Sequence, residues 1–218
     1  MKVLLLNGSP HERGSTYTAL HEMEKIFEEE GIEVEMLHLG KLDIKGCQAC
    51  GYCAGHGKCV MDDVVNEVAD KLMAADGLVL GSPVYYGSAN STLTALLDRL
   101  FFSTMYKDLR MKVGAAVCSA RRGGLTATFD QLNKYFTISG MPVASGQYWN
   151  GIHGHNAEEA KQDLEGMQMM RTLAQNMAFL MKSIALGKET YGMPVKEPTV
   201  MTNFIRAGSA ESNAAQNS

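Results

Sequence analysis

No apolar run in the sequence approaches the ~18 residues that a membrane span needs, and no charged amino-terminal stretch leads into an apolar segment and cleavage site. The chain instead opens directly on what reads as a core strand, Lys2-Val3-Leu4-Leu5-Leu6-Asn7. These absences argue against membrane and secreted proteins and predict a cytoplasmic one. Basic clusters are missing as well: 20 Lys and Arg stand against 24 Asp and Glu, and the net charge of −4 offers no face to nucleic acid. There is no internal repeat. At 218 residues, 45% of them hydrophobic, the chain has material for one substantial core plus an appendage, not for two full domains. Five cysteines in such a chain point to thiols, metal ligands or redox groups rather than structural disulfides.

Two common nucleotide fingerprints are also absent. The segment after the first strand, Gly8-Ser9-Pro10-His11-Glu12-Arg13-Gly14-Ser15-Thr16, has neither G-x-G-x-x-G nor the lysine of G-x-x-x-x-G-K-[ST], which disfavours a nucleoside triphosphate. What it does have is chemistry for a single phosphate. Gly8 and Gly14 permit backbone angles that other residues resist, and Ser9, Ser15 and Thr16 carry hydroxyls. The helix expected from Thr16 points its positive end and free N–H groups at the loop. A flavin mononucleotide (FMN) at the switch point of a flavodoxin-like sheet fits that description. An ordinary strand-to-helix turn capped by Ser15 fits it too.

Apolar patterns predict strands at Lys2–Asn7, Glu33–His38, Gly77–Ser82, Lys112–Ser119 and Pro142–Gly146, alternating with helices at Thr16–Glu30, Asp63–Ala74, Thr92–Met105, Thr126–Ser139 and Ala157–Leu186. Five β-α repeats imply an α/β fold with a doubly wound five-stranded parallel sheet in the order 2-1-3-4-5. Leu78-Val79-Leu80 and Val113–Val117 are continuous apolar runs, as central strands buried on both faces should be. Ligands in such a sheet bind beyond the carboxyl ends of the strands, which directs attention to Gly8–Ser15, Ser82–Asn90, Ser119–Gly124 and Gly146–Asn156. Two excursions interrupt the pattern: an insertion at Lys41–Met61, and a tail from 187 to 218 after a main domain of 1–186. The last helix carries Leu164, Met167, Met170, Leu173, Met177, Leu180, Met181 and Ile184 as a core stripe. At about 45 Å for thirty residues it would overhang a small domain, so its end and the tail are candidates for subunit contact. The last dozen residues are expected to be disordered.

The insertion spaces four thiols as Cys47-x2-Cys50-x2-Cys53-x5-Cys59 among Gly46, Gly51, Gly55 and Gly57. A [4Fe–4S] cluster needs thiolates at such compact spacing. Four thiolates also make a closed zinc site, Cys50 and Cys53 could form a redox pair, and a loop of unliganded thiols is the bland alternative. Cys118, at the end of a central strand, reads as a small buried hydrophobe.

Three segments together resemble the NAD(P)H-dependent FMN reductase family of the flavodoxin-like superfamily, over about Met1 to Leu186. They are Asn7-Gly8-Ser9-Pro10 through Ser15-Thr16; Gly81-Ser82-Pro83-Val84-Tyr85-Tyr86-Gly87 with the following Leu97-Asp98-Arg99; and Ser119-Ala120-Arg121-Arg122-Gly123-Gly124. The four-cysteine insertion resembles the iron–sulfur flavoprotein branch. By that resemblance Ser9, His11, Ser15 and Thr16 bind the FMN phosphate, with Arg13 as charge partner; Ser15 stands where many relatives carry asparagine. Pro83, Val84, Tyr85, Tyr86 and Gly87 lie along the flavin ring, although strand-end packing also explains the tyrosines. Ser119, Arg121, Arg122, Gly123 and Gly124 border the flavin, a guanidinium serving a flavin carbonyl or the donor's phosphates, while at least one arginine is expected to be a plain surface charge. Asp98 and Arg99 match a helix that bears subunit contacts, and an internal salt bridge explains them equally well. Trp149 is a candidate wall for the substrate pocket or a half-buried aromatic. His153 and His155 read as loop residues.

The resemblance implies an enzyme in which FMN carries electrons from NAD(P)H to a flavin, quinone, azo or nitro acceptor, with no catalytic side chain required. An iron–sulfur flavoprotein exchanging electrons with ferredoxin is the alternative. A zinc-stapled, non-catalytic interaction module is the reading outside redox chemistry. A homodimer or homotetramer is expected.

Overall fold

The structure is a computed structural model that describes residues 1–200 and Thr202. The chain runs β1 (Lys2–Asn7), α1 (Ser15–Glu29), β2 (Glu33–His38), α2 (Tyr52–His56), α3 (Val64–Ala74), β3 (Gly77–Tyr85), β4 (Ser88–Ala89), α4 (Ser91–Thr104), β5 (Val113–Ala120), α5 (Leu125–Ile138), β6 (Gly151–His153), α6 (Ala157–Gln162) and α7 (Leu164–Tyr191). Five strands pair in parallel in the order β2-β1-β3-β5-β6. Counting only those five, this is the expected 2-1-3-4-5 arrangement.

Side-chain alternation explains why both faces are covered. In β1, Val3 and Leu5 point to one face and join Leu20, Met23 and Phe27 of α1 and Met170, Leu173 and Met177 of α7. Leu4 and Leu6 point to the other face, against Val65 and Leu72 of α3, Leu93 and Leu97 of α4 and Leu132 and Phe136 of α5. β5 is buried along its whole length, and at its start the sheet is close enough to α5 that a Cβ on Gly114 would stand 2.5 Å from the Phe136 ring. Emptying such a position, as by Leu97→Ala, typically costs about 2–5 kcal/mol.

Two expectations need correction. The fifth strand is not Pro142–Gly146. Pro142–Ala144 meets only the start of β5, with Gly114 N–H donating to Pro142 O and Ala144 N–H to Gly114 O, both at 2.8 Å, and the chain leaves the sheet before returning as β6 beside Cys118–Ala120. The helix expected at Ala157–Leu186 is broken after Gln162. The Asp163 carboxylate accepts from His153 N–H (2.6 Å) and from Gly166 N–H (2.9 Å), capping a new helix in place of continuing the old one. The stripe packs against the core from Met167 to Ile184, whereas Leu164 is exposed.

Residues Met1–Leu186 form one unit and the chain from Gly187 a second. The described residues after Tyr191 are exposed and without regular secondary structure; the last dozen residues, expected to be disordered, lie outside the described residues. Among the described residues no helix is long and apolar enough to cross a membrane.

Candidate functional site

At the carboxyl ends of β1, β3 and β5 lies a cleft of about 1000 Å³. One wall is the loop from Ser9 to Thr16, and its shape comes from its own polar groups. Ser9 N–H donates to Asn7 Oδ1 (3.0 Å), His11 N–H to Ser9 Oγ (3.1 Å) and Asn7 Nδ2 to the Glu12 carbonyl (3.2 Å). Gly14 is the N-cap of α1 and no side chain caps the helix, so the first-turn N–H groups remain open to an anion. The capping role considered for Ser15 is therefore wrong. Its Oγ lies 3.1 Å from Gly154 O and 3.0 Å from Asn156 O, which commits its proton to carbonyls across the cleft. Neither Gly8 nor Gly14 is in the left-handed region; Gly8 serves close packing instead, since a Cβ there would stand 2.8 Å from Leu93 Cβ.

Not every hydroxyl at the loop is free to donate. Thr16 Oγ1 and Ser119 Oγ are 2.7 Å apart and buried; two hydroxyls sharing one hydrogen bond leave one proton free to donate. Ser9 Oγ, already accepting from His11, also keeps its proton. The loop thus presents first-turn N–H groups, the Ser9 hydroxyl and one further hydroxyl, the complement of a group that only accepts.

Pro83, Val84, Tyr85, Ser119 and Arg121 line the same cleft as Ser9, His11, Arg13, Ser15 and Thr16. Tyr86, Gly87, Arg122, Gly123 and Gly124 do not. Tyr86 and Gly87 (φ 52° and 73°) form the tight turn between β3 and β4, and Tyr86 is fully exposed at its tip. Gly124 (φ 94°) sits behind that hairpin, where a Cβ would meet Val84 Cγ1 at 2.8 Å; it positions the wall without lining it. Lys41 and the segment Gly154–Glu158 also line the cleft. Sequence spacing singled out neither Lys41 nor Glu158, whose place depends on contacts across the fold. Trp149 stands apart, in a separate hollow of about 200 Å³ with Tyr148 and His153.

The four insertion cysteines face one small pocket of about 20 Å³ beside α4. Left-handed Gly51 and Gly57 bracket α2, Cys53 is buried, Cys59 is half-buried, and Cys47 and Cys50 are exposed. Asn66 clamps the segment, accepting from Cys59 N–H (2.9 Å) and donating to the Cys59 and Met61 carbonyls (both 3.1 Å). Among the described residues no three His, Cys, Asp or Glu side chains stand in metal-holding geometry. In the pocket wall, Arg99 forms an ion pair with Asp63, with Nη1 and Nη2 at 2.7 and 2.8 Å from its oxygens. Burial works against both charges, but the ion pair outweighs it together with the Val65 N–H on Asp63 and Cys59 beside Arg99, so the Asp63 carboxyl is held below the usual carboxylate range and the Arg99 guanidinium is raised. Arg99 is thus an internal ion-pair residue, while Asp98 accepts from the Tyr135 hydroxyl. Burial pushes the Cys118 thiol up to about 12, in keeping with a packing role.

A doubly wound parallel sheet in this order, with an open helix N-terminus and hydroxyl loop after its first strand, defines the flavodoxin-like class. Its fold matches a flavodoxin from the domain Archaea with a TM-score of 0.58 at 15% identity, over 84% of this chain and 99% of that one. Residues 1–156 match the NADPH-dependent FMN reductase family, and the chain belongs to that family, within its iron–sulfur flavoprotein branch. It is 35% identical to an iron–sulfur flavoprotein of Methanocaldococcus jannaschii, over 84% of this chain and 99% of the relative. It is 30% identical to one from Methanosarcina thermophila, over 87% and 100%. The protein is accordingly a flavin-dependent oxidoreductase.

Proposed function

We propose that the cleft holds FMN and that the protein passes electrons from NADH or NADPH to a small acceptor of the flavin, quinone, azo or nitro class. The observation that carries this is the uncapped N-terminus of α1 opening onto the cleft beside the unspent Ser9 hydroxyl. Those donors bind the phosphate, and Arg13 and Lys41 add positive charge. Pro83, Val84 and Tyr85 form the wall for the ring, with Ser119 and Arg121 facing it and Arg121 free to bind a flavin carbonyl or the donor's phosphates. Bound there, FMN supplies the redox chemistry, accepting a hydride and releasing electrons singly or in pairs.

A second reading, ferredoxin-linked electron transfer through an iron–sulfur cluster, is favoured by the four thiols facing a single pocket. The donor set fits: four sulfurs, with no histidine or carboxylate lining the pocket to compete. Its free space of about 20 Å³ is room for about one water, so a cluster requires the four sulfurs to spread. A zinc-stapled module without flavin has no use for the uncapped helix and the Pro83–Tyr85 wall. Purification without air, with the visible spectrum and flavin, iron, sulfide and zinc content, tests these readings. FMN that NAD(P)H reduces supports the first, and iron with sulfide in fourfold excess over FMN supports the second. Colourless protein with stoichiometric zinc overturns both.

A further inference from the structure

Arg99 is the largest of the fully buried side chains, 1% exposed, and a buried guanidinium costs several kcal/mol unless paired and fully bonded. Asp63 takes one N–H from each terminal nitrogen. The rest of the fork goes to the cysteine loop. Nε and Nη2 both lie 3.3 Å from Cys59 Sγ, Nη1 lies 3.3 Å from Lys45 O, and Nη2 lies 3.5 Å from Met61 O. The loop is therefore held on both flanks, before Cys47 and after Cys59, and its last sulfur receives two N–H groups from one planar fork. A thiol is a weak acceptor, so two donors spent on one sulfur are better matched to a ligating sulfur than to a resting thiol.

We propose that Arg99 is the positioning residue of the cysteine loop, holding Cys59 Sγ in place and, through two N–H···S bonds, raising the reduction potential of an iron–sulfur cluster bound there. This rests on the reading of the four cysteines as ligands. Hydrogen bonds to cluster sulfurs tune the potential, and positive partners favour the more negative, reduced form. Lysine cannot substitute, because its point charge does not span a carboxylate and a sulfur together.

The test compares the full chain with Arg99→Lys and with the double variant Arg99→Met, Asp63→Asn, which leaves no unpaired buried charge. In iron-free, FMN-bound protein, hydrogen exchange in the peptide spanning 45–63 should quicken at least tenfold in both variants, with β1 and β3 unchanged. After anaerobic reconstitution, the cluster midpoint should fall by about 59 mV, a tenfold change for one electron. Unchanged loop exchange, or a rise shared equally by β1 and β3, overturns the anchor. An unchanged midpoint at full iron content overturns the N–H···S role. A parent protein that takes up no iron refutes the ligand reading itself and the potential shift with it, and the exchange comparison then decides the anchor alone.

Discussion

Replacing Gly40 with alanine should dislodge the phosphate loop without adding any atom to the cleft's donor set. Gly40 follows β2 and lies against the back of the loop, so that a Cβ on it would stand 1.9 Å from the Ser9 carbonyl oxygen, 2.2 Å from Ser9 C and 2.5 Å from Pro10 N. All three are backbone atoms, and no rotamer change relieves the clash. Ordinary contact begins at 3.4 Å, so the Ser9–Pro10 backbone or the turn at Gly40 has to retreat by about 1.5 Å, enough to break a hydrogen bond to a charged phosphate, worth ~1.5–3 kcal/mol. The same carbonyl accepts from His38 Nε2 at 2.7 Å, a bond the displacement would strain. FMN affinity should fall about 100-fold, ~2.8 kcal/mol, read by quenching of flavin fluorescence on titration into flavin-free protein. Ser9→Ala, which removes one hydroxyl donor together with the acceptor for His11 N–H, should cost about tenfold. A thermal melt of each flavin-free variant separates loop displacement from unfolding. A folded Gly40→Ala protein that binds FMN as the parent does would place the phosphate somewhere other than the Ser9–Thr16 loop.

Gly124→Ala should lower the melting temperature by about 2–8 °C, since a left-handed alanine costs ~1–2 kcal/mol and its Cβ presses on Val84 Cγ1; an unchanged melt would refute the hairpin support. In native, iron-free protein a thiol-alkylating reagent at pH 8 should label exposed Cys47 and Cys50 and spare Cys118, whose thiol burial pushes to about 12; equal labelling would contradict that burial. Burial pushes the Glu22 carboxyl up, but Arg171 and Lys25 outweigh it, and Lys2 and Lys71 likewise lower Glu35. Depressed folded values mean stability that is full above the unfolded value of 4.5 and is lost as pH falls through the lower folded value. The urea midpoint should hold down to about pH 5 and decline below 4.5, and Glu22→Gln should flatten part of the decline. A decline of identical slope in the variant would show that Glu22 contributes nothing to it.

What local physics determines was legible in the sequence. The buried runs of β3 and β5 announce central strands because both their faces are covered, and the glycine- and hydroxyl-bearing loop after β1 marks a segment that lines the cleft. The edge was not legible: β6 is three residues with one open side, and Pro142–Ala144 competes for the same flank of β5. Nor was the break at Asp163, whose carboxylate is drawn out of the helix by His153 N–H ten residues earlier. The far wall of the cleft has the same cause. Ser15 reaches Gly154 and Asn156 across about 140 residues of sequence, a closure that only the sheet order creates. That closure changes the chemistry as well as the map. By taking the Ser15 proton it removes from the donor set a hydroxyl that the sequence alone assigns to the phosphate, and Arg99, for which the sequence offers a subunit contact or an internal salt bridge, makes the internal one, to Asp63, and adds Cys59. In both cases the side chain was identifiable from its neighbours in sequence, while its partner, and therefore its role, was set by the topology.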